Sequence, residues 1–364
     1  MKIADVRATT VAIPYRYDGP RHNVAGKDWN TLDALLVRVE TDTGLVGWGE
    51  AFGHGGIPAT RAALETLVAP WMIGRDATDI ISTNRAAQQA LHLYGRGGPM
   101  TYALSGVDIA LWDLAGKAAG LPLHRLLGAA APQSVPAYAS LLRYGDPAVV
   151  ARNVEAAIAA GYGAVKLHEI TVPAVAAARE AAGPDILLMN DTNCPWPPHE
   201  ARAMARAFRR FDLHWLEEPV WPPEDFAGLA SVREEGVPIA AGENMASPLE
   251  FLHAMQAGAL DIAQPSVTKI GGVTEARRVI AVADTHGVRV VPHCAYFGPG
   301  FLASLQLAAS LPDRPPLERL YLDTEASLFG RYTAALDGAI PVPPGPGLGC
   351  DPDPDVIASY EVKP

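Results

Sequence analysis

Apolar and polar positions alternate from the start of the chain, in IADVRATTVAI at residues 3–13, LDALLVRVET at 32–41 and, after a TDTG turn, GLVGWGE at 44–50. A period of two gives a strand one core face and one wet face, so these runs predict antiparallel strands. From 59 to 128 the period lengthens. ALETLVAPWMI and LSGVDIALWDLAGKAAG carry apolar residues at helical spacing, and Gly120-Leu121-Pro122 supplies a stop. Strands followed by helices predict an α+β domain over residues 1–128.

From about residue 134 short β-rich runs alternate with Ala-rich helical runs. The strand-like runs are VPAYAS, AVKLHE, ILLMND, LHWLEE, PIAAGE, DIAQPS, VRVVPH and PLERL. Near their C-terminal ends stand Ser140, Lys166, Asp191, Glu217, Glu243, Ser266, His293 and Glu318, separated by 26, 25, 26, 26, 23, 27 and 25 residues. A βα unit needs about this length, and eight of them close into a parallel barrel with its chemistry at the strand C-termini. The fold class is therefore α/β, a TIM-like barrel with an α+β domain before it. Solvent exposure alone makes strand ends polar, but it does not explain functional residue types at so regular a period.

Asp191, Glu217 and Glu243 end three consecutive strands of this barrel. On strands ~4.8 Å apart, three ionised carboxylates repel one another unless a cation lies among them. With oxygen donors only, the ion is Mg²⁺, with Mn²⁺ next, since Zn²⁺ would recruit His or Cys. In the Glu217-Glu218 doublet the spacing selects Glu217, and Glu218 is expected to turn aside and bond a neighbouring lysine. Asn193, two residues past Asp191, is expected to orient a ligand or Lys166.

The bulk composition narrows the partners. Hydrophobic residues make up 49% and charged residues 19%, and 29 Lys and Arg against 40 Asp and Glu give a formal net charge of −11. That balance argues against nucleic acid or an anionic membrane, and leaves a small acidic molecule if a local cation receives it. The opening MKIADVRATTVAIP has no secretory pattern, and no window approaches the ~18 apolar residues of a membrane span. Cys194, Cys294 and Cys350 show no CxxC spacing, so a reducing cytoplasm is expected.

The motifs GLVGWGE and SGVDIALWDLAGK, with KLH, NDTN, WLEEP, AGEN, QPSVTKIGG, VPH and LERL, resemble the mandelate racemase and muconate lactonizing enzyme branch of the enolase superfamily. The resemblance implies a (β/α)₇β barrel over 129–320, capped by residues 1–128 together with a C-terminal segment, 321–364. It implies Mg²⁺ on Asp191, Glu217 and Glu243, and abstraction of the proton α to a carboxylate to give an enediolate stabilised by the metal. In that branch the second strand ends Lys-x-Lys. Here the pair is Lys166 and His168, which makes Lys166 the fixed cation and His168, titrating near ~6.5 unaided, the base. His293 matches a strand-seven histidine that works with a strand-six aspartate, but Ser266 stands at the aspartate position. His293 is then expected to be a weaker base and a readier acid. Glu318 matches a glutamate expected to be protonated by burial and to bind the substrate carboxylate. Lys269, in KIGG, is expected to be structural or supporting.

These residues predict a lyase, dehydrating an aldonic or aldaric acid to a 2-keto-3-deoxy acid. A racemase, epimerase or cycloisomerase acting on a carboxylate is the alternative. A non-catalytic barrel that binds a metal or an acid ranks lower, because binding needs no bases. The loops at 15–30 and 52–56 are expected to complete the pocket through Arg16, Arg21, His22, Lys27 and His54, with Tyr296 and Phe297 as walls. A homo-oligomer is expected.

Overall fold

The computed structural model describes residues 1–364 apart from 22, 25, 131 and 364. The alternating runs form three antiparallel strands, β1 (Ile3–Arg16), β2 (Thr31–Thr41) and β3 (Val46–Ala51), in which Leu35 pairs with Ala51. Helices α1 (Ile80–Ala90) and α2 (Pro99–Ala119) follow. Leu35, Val37 and Val39 of β2 share a buried cluster with Val107, Leu111 and Leu114 of α2. The glycines of GLVGWGE allow this packing: a Cβ on Gly49 would lie 1.9 Å from the Gly106 carbonyl oxygen of α2.

Eight parallel strands form the second layer: β4 (Ser134–Ser140), β5 (Ala164–Leu167), β6 (Leu187–Asp191), β7 (Trp215–Glu217), β8 (Ile239–Ala241), β9 (Ile262–Ala263), β10 (Arg289–Val290) and β11 (Leu317–Leu320). From β4 to β10 each pairs with the next in sequence, and β11 pairs with β4, Leu317 opposite Ala137, so that β10 and β11 stand at the two ends of the paired order. Between them run α3 (Pro147–Ala159), α4 (Val172–Ala182), α5 (Pro198–Phe208), α6 (Phe226–Arg233), α7 (Pro248–Gln256), α8 (Gly272–His286) and α9 (Pro299–Ser310). Tyr138, Ala164, Met189, Trp215, Ala240, Ile262 and Val291 make a closed apolar plug, with the Tyr138 and Trp215 rings edge to face. No helix among the described residues is long and apolar enough to cross a membrane.

Beyond β11 the chain returns to the first domain. β12 (Asp323–Thr324) pairs with the end of β1, the Leu348 amide donates to Asp113 of α2, and the Val362 amide donates to the Thr10 carbonyl.

Two buried carboxyls join the domains. Asp108, in SGVDIALWDLAGK, accepts hydrogen bonds from the Thr274 amide (2.9 Å) and Asn84 Nδ2 (2.8 Å), while the Gly271 amide donates to Ser105. The KIGG glycines make room for this contact. Gly272 has φ +84, and a Cβ there would lie 2.2 Å from Asp108 Oδ1. Glu50 on β3 accepts the Gly300 amide of α9 at 2.8 Å, yet burial pushes its pKa up to about 7.

Gly272→Ala should therefore destabilise the protein by about 2 to 4 kcal/mol, combining φ strain with a clash against a buried carboxylate. Gly258→Ala, at φ +69 in open space, should cost only about 1 kcal/mol. Denaturant midpoints of the two variants check this, and equal losses would remove Asp108 from the explanation. For Glu50 the raised folded-state pKa means that its contribution is fully present below its unfolded value of 4.5 and is lost as pH rises through about 7. Glu50→Gln should gain on the wild type between pH 5 and 8 by on the order of 3 kcal/mol. Parallel stability curves would show that the carboxyl ionises without cost.

Candidate active site

At the C-terminal mouth of the barrel, Lys166 of β5 is fully buried with its Nζ 2.8 Å from Glu318 Oε1, 2.9 Å from Glu217 Oε1 and 3.4 Å from Asp191 Oδ2. Neutral donors complete the carboxylates. Glu217 Oε2 accepts from Trp215 Nε1 and Gln264 Nε2, both at 2.9 Å. Asp191 Oδ1 accepts from the Asn193 amide and side chain at 2.9 and 3.0 Å. Glu318 accepts from Ser140 Oγ at 2.8 Å and the Cys294 amide at 3.0 Å. Glu243 lies two residues past β8, with its Oε2 2.7 Å from His293 Nε2 and 3.6 Å from Lys269 Nζ.

Three carboxylates around one ammonium leave an excess of acid. Burial would raise Asp191 and Glu318, but Lys166 holds both at about 2. Glu217 takes the remainder, pushed well above its ordinary value by burial and by the charges of Asp191 and Glu318. Against burial, Lys269 and His293 hold Glu243 well below its ordinary value. Glu318 is thus ionised, contrary to the protonated form expected from its burial, because Lys166 reaches it directly. Glu218 also departs from expectation. Instead of bonding a lysine, it accepts from the Gly242 amide (3.0 Å), Asn244 Nδ2 (2.8 Å) and Cys194 Sγ (3.0 Å).

The oxygen-only donors of Asp191, Glu217 and Glu243, with their acid excess, suit a hard divalent cation. Asp191 and Glu217 share Lys166 with Glu318, and Glu243 faces Lys269 and His293. Among the described residues, no group of three His, Cys, Asp or Glu side chains is spaced to hold an ion.

The two histidines are held differently. His168 sits just past β5 rather than within it, with Nδ1 against the Leu141 carbonyl and Nε2 3.2 Å from Asp191 Oδ2. A carbonyl only accepts, so Nδ1 carries a proton. Lys166 and His168 meet through Asp191 Oδ2, which faces both. His293 Nδ1 is buried and has no partner among the described residues. Ser266 Oγ lies 2.6 Å from the Tyr296 hydroxyl, which donates to the His293 carbonyl at 2.9 Å. Ser266 therefore braces the backbone of His293, not its ring.

The first domain supplies the roof. Lys269 Nζ lies 4.4 Å from the centre of the Phe52 ring, and His54 packs edge-on against Phe52 and Trp29. Burial, then the charges of Lys269 and His293, lower the His54 pKa to about 4, and its buried Nδ1 has no partner among the described residues. Tyr15, Tyr17, Arg21, Asp28, Trp29 and Asn30 line a neighbouring cavity of 260 Å³. Arg16 is exposed at the end of β1, and Arg21 reaches Asp28 at 3.7 Å. His22 lies outside the described residues, as does the Lys27 side chain. Tyr296 is buried, and Phe297 stacks on Phe301.

Three residues escaped the sequence reading. Trp215 and Gln264 each precede a singled-out residue by two, a spacing that could have flagged them. Arg143, in the loop after β4, left no periodic signal. Its Nε donates to the His168 carbonyl at 2.6 Å, and its Nη2 donates to the Thr192 carbonyl at 2.9 Å and Asn193 Oδ1 at 3.2 Å.

Residues 7–128 match the family described as mandelate racemase / muconate lactonizing enzyme, N-terminal domain, and residues 149–356 match enolase C-terminal domain-like. The chain is 34% identical to D-galactarolactone cycloisomerase of Agrobacterium fabrum, covering 100% of this chain and 99% of that one. It is 31% identical to D-gluconate dehydratase of Thermoproteus tenax, covering 91% of this chain and 70% of that one. Among solved structures, a racemase from Streptomyces coelicolor A3(2) with bound magnesium superposes with a TM-score of 0.85 at 32% identity, covering 99% of this chain and 100% of that one. Matches to both domains, together with relatives aligned over the full chain, show that this protein belongs to the mandelate racemase and muconate lactonizing enzyme family of the enolase superfamily.

Proposed function

We propose that the protein removes the proton α to the carboxylate of a sugar acid and expels an oxygen from the adjacent carbon. The observation that carries this reading is His168, whose Nδ1 proton is committed to the Leu141 carbonyl while Nε2 faces the carboxylate cluster. With Nδ1 fixed as a donor, Nε2 is the ring nitrogen that exchanges protons; against Asp191 Oδ2 it donates one, and having given that proton up it takes one from the substrate. Lys166 is the cation nearest the cluster; its three N–H groups face Glu318, Glu217 and Asp191, so it receives the substrate carboxylate by exchanging one of these acids for it.

As His168 takes the α-proton, the C–H electron pair forms a carbon–carbon double bond and the β-carbon–oxygen bond breaks. His293 then protonates the departing oxygen. When that oxygen is a hydroxyl, water leaves and the enol tautomerises to a 2-keto-3-deoxy acid. When it belongs to a ring, the ring opens at constant composition, which is an isomerisation. One chemistry thus accounts for a dehydratase and a cycloisomerase among the relatives. Racemisation is disfavoured because it needs two matched bases, and His293 Nδ1 has no acidic partner.

Asp191, Glu217 and Glu243 would hold Mg²⁺, or Mn²⁺ by the same donor chemistry, and the ion would supply the positive charge that makes an α-proton acidic enough to remove. The reading extends to a small carboxylate as the partner, a reducing cytoplasm for three free cysteines, and a homo-oligomer.

Incubation with aldonic and aldaric acids in D₂O should yield 2-keto acids, and chelation should stop the reaction until Mg²⁺ is restored. His168→Gln should lower kcat/KM about a thousandfold. His293→Gln should keep α-deuterium exchange while losing keto acid. Exchange without elimination in the wild type would favour an epimerase, and neither exchange nor product with any acid would favour a binding barrel.

A further inference from the structure

Arg143 is a fixed guanidinium without a counter-ion. Its Nε and Nη2 are spent on two carbonyls and an amide oxygen, all neutral, and among the described residues no carboxylate lies within ion-pair distance of it. This is unusual company for an arginine in a chain of net charge −11. Lys166 and Lys269, the other cations of the mouth, both face acids. The side chain is half-buried, so its immobilisation is already complete. Its Nη1 has no protein acceptor among the described residues.

Location gives this free charge a purpose. Arg143 holds the carbonyl of His168 and the side chain of Asn193, which in turn holds Asp191. Its chain neighbour Tyr144 stacks under Tyr17 of the first domain's loop, with ring centres 6.4 Å apart. The guanidinium therefore lies where roof and mouth meet, beside the base but on a different strand end from Lys166. With Nε and Nη2 fixed, the Nη1 hydrogens and the uncompensated charge are left for a carboxylate oxygen.

We propose that Arg143 receives the second carboxylate of a dicarboxylic substrate, so that the site takes aldaric acids, or their monolactones, ahead of aldonic acids. This rests on the α-proton chemistry proposed above, with the first carboxylate at Lys166.

The test compares a hexaric acid with the hexonic acid matched to it at every hydroxyl. A charge-assisted contact predicts that the wild type favours the diacid in kcat/KM by about tenfold to a hundredfold, chiefly through KM. Arg143→Gln should bring that ratio close to one, and Arg143→Lys should restore part of it. Should Arg143→Gln not fold, calorimetric binding of unreactive deoxy analogues of the two acids to the wild type and to Arg143→Lys gives the same ratio. A wild-type ratio near one overturns the proposal. So does a fall in both activities at constant ratio, which would leave Arg143 only positioning His168 and Asn193. In either case keto acid formation from the monoacid keeps the elimination reading standing, whereas no keto acid from either acid sinks both.

Discussion

A buried ammonium shared by three carboxylates is the constraint on which the mouth of this barrel depends. Lys166 has no solvent contact, and removing it would leave Asp191, Glu217 and Glu318 buried without their shared counter-charge, a loss that commonly costs several kcal/mol. The cluster survives burial because Trp215, Gln264, Ser140, Asn193 and the Cys294 amide occupy the remaining carboxylate oxygens. These donors come from separate strand ends around the ring. Closing the barrel and satisfying the charges are therefore one problem, and a strand out of register would break both.

The attachment of the first domain obeys a different logic. Its contacts with the barrel are made by carboxyls whose burial raises their pKa, Asp108 against α8 and Glu50 against α9, through glycines that leave no room for a side chain. Such joints are rigid and intolerant of substitution. The roof over the mouth, by contrast, is aromatic and loosely specified: Phe52 beneath Lys269, His54 between Phe52 and Trp29.

The barrel was legible because a repeat of about 25 residues is a one-dimensional signal, and the strand ends carry their polar residues in step with it. The placement of Asp191 and Glu217 at the ends of successive strands was legible for the same reason, whereas Glu243 stands two residues past its strand. What escaped were relations across the ring. Nothing local in LERL says that Glu318 meets Lys166 rather than staying protonated. Nothing in WLEEP says that Glu218 turns to the Gly242 amide instead of a lysine. The strands also end earlier than the polar pattern suggested, so His168, Glu243, Ser266 and His293 stand on loops just beyond them. Loop geometry decides that Ser266 meets Tyr296 and that Arg143 meets His168, and periodicity carries no record of it.

The unequal treatment of the two histidines has the widest chemical consequence. His168 has its proton assigned by a backbone carbonyl, an arrangement that cannot drift because Leu141 follows β4 directly and its amide is itself bonded to the Lys166 carbonyl. His293 has its backbone braced by Tyr296 and its ring left with one unpartnered nitrogen. On the proposed reading this pairing removes a proton at His168 and protonates a departing oxygen at His293, whose Nε2 is held 2.7 Å from Glu243. It places few demands on what that oxygen is attached to. The same residues can therefore release a hydroxyl or open a ring, and the choice passes to whatever positions the rest of the substrate.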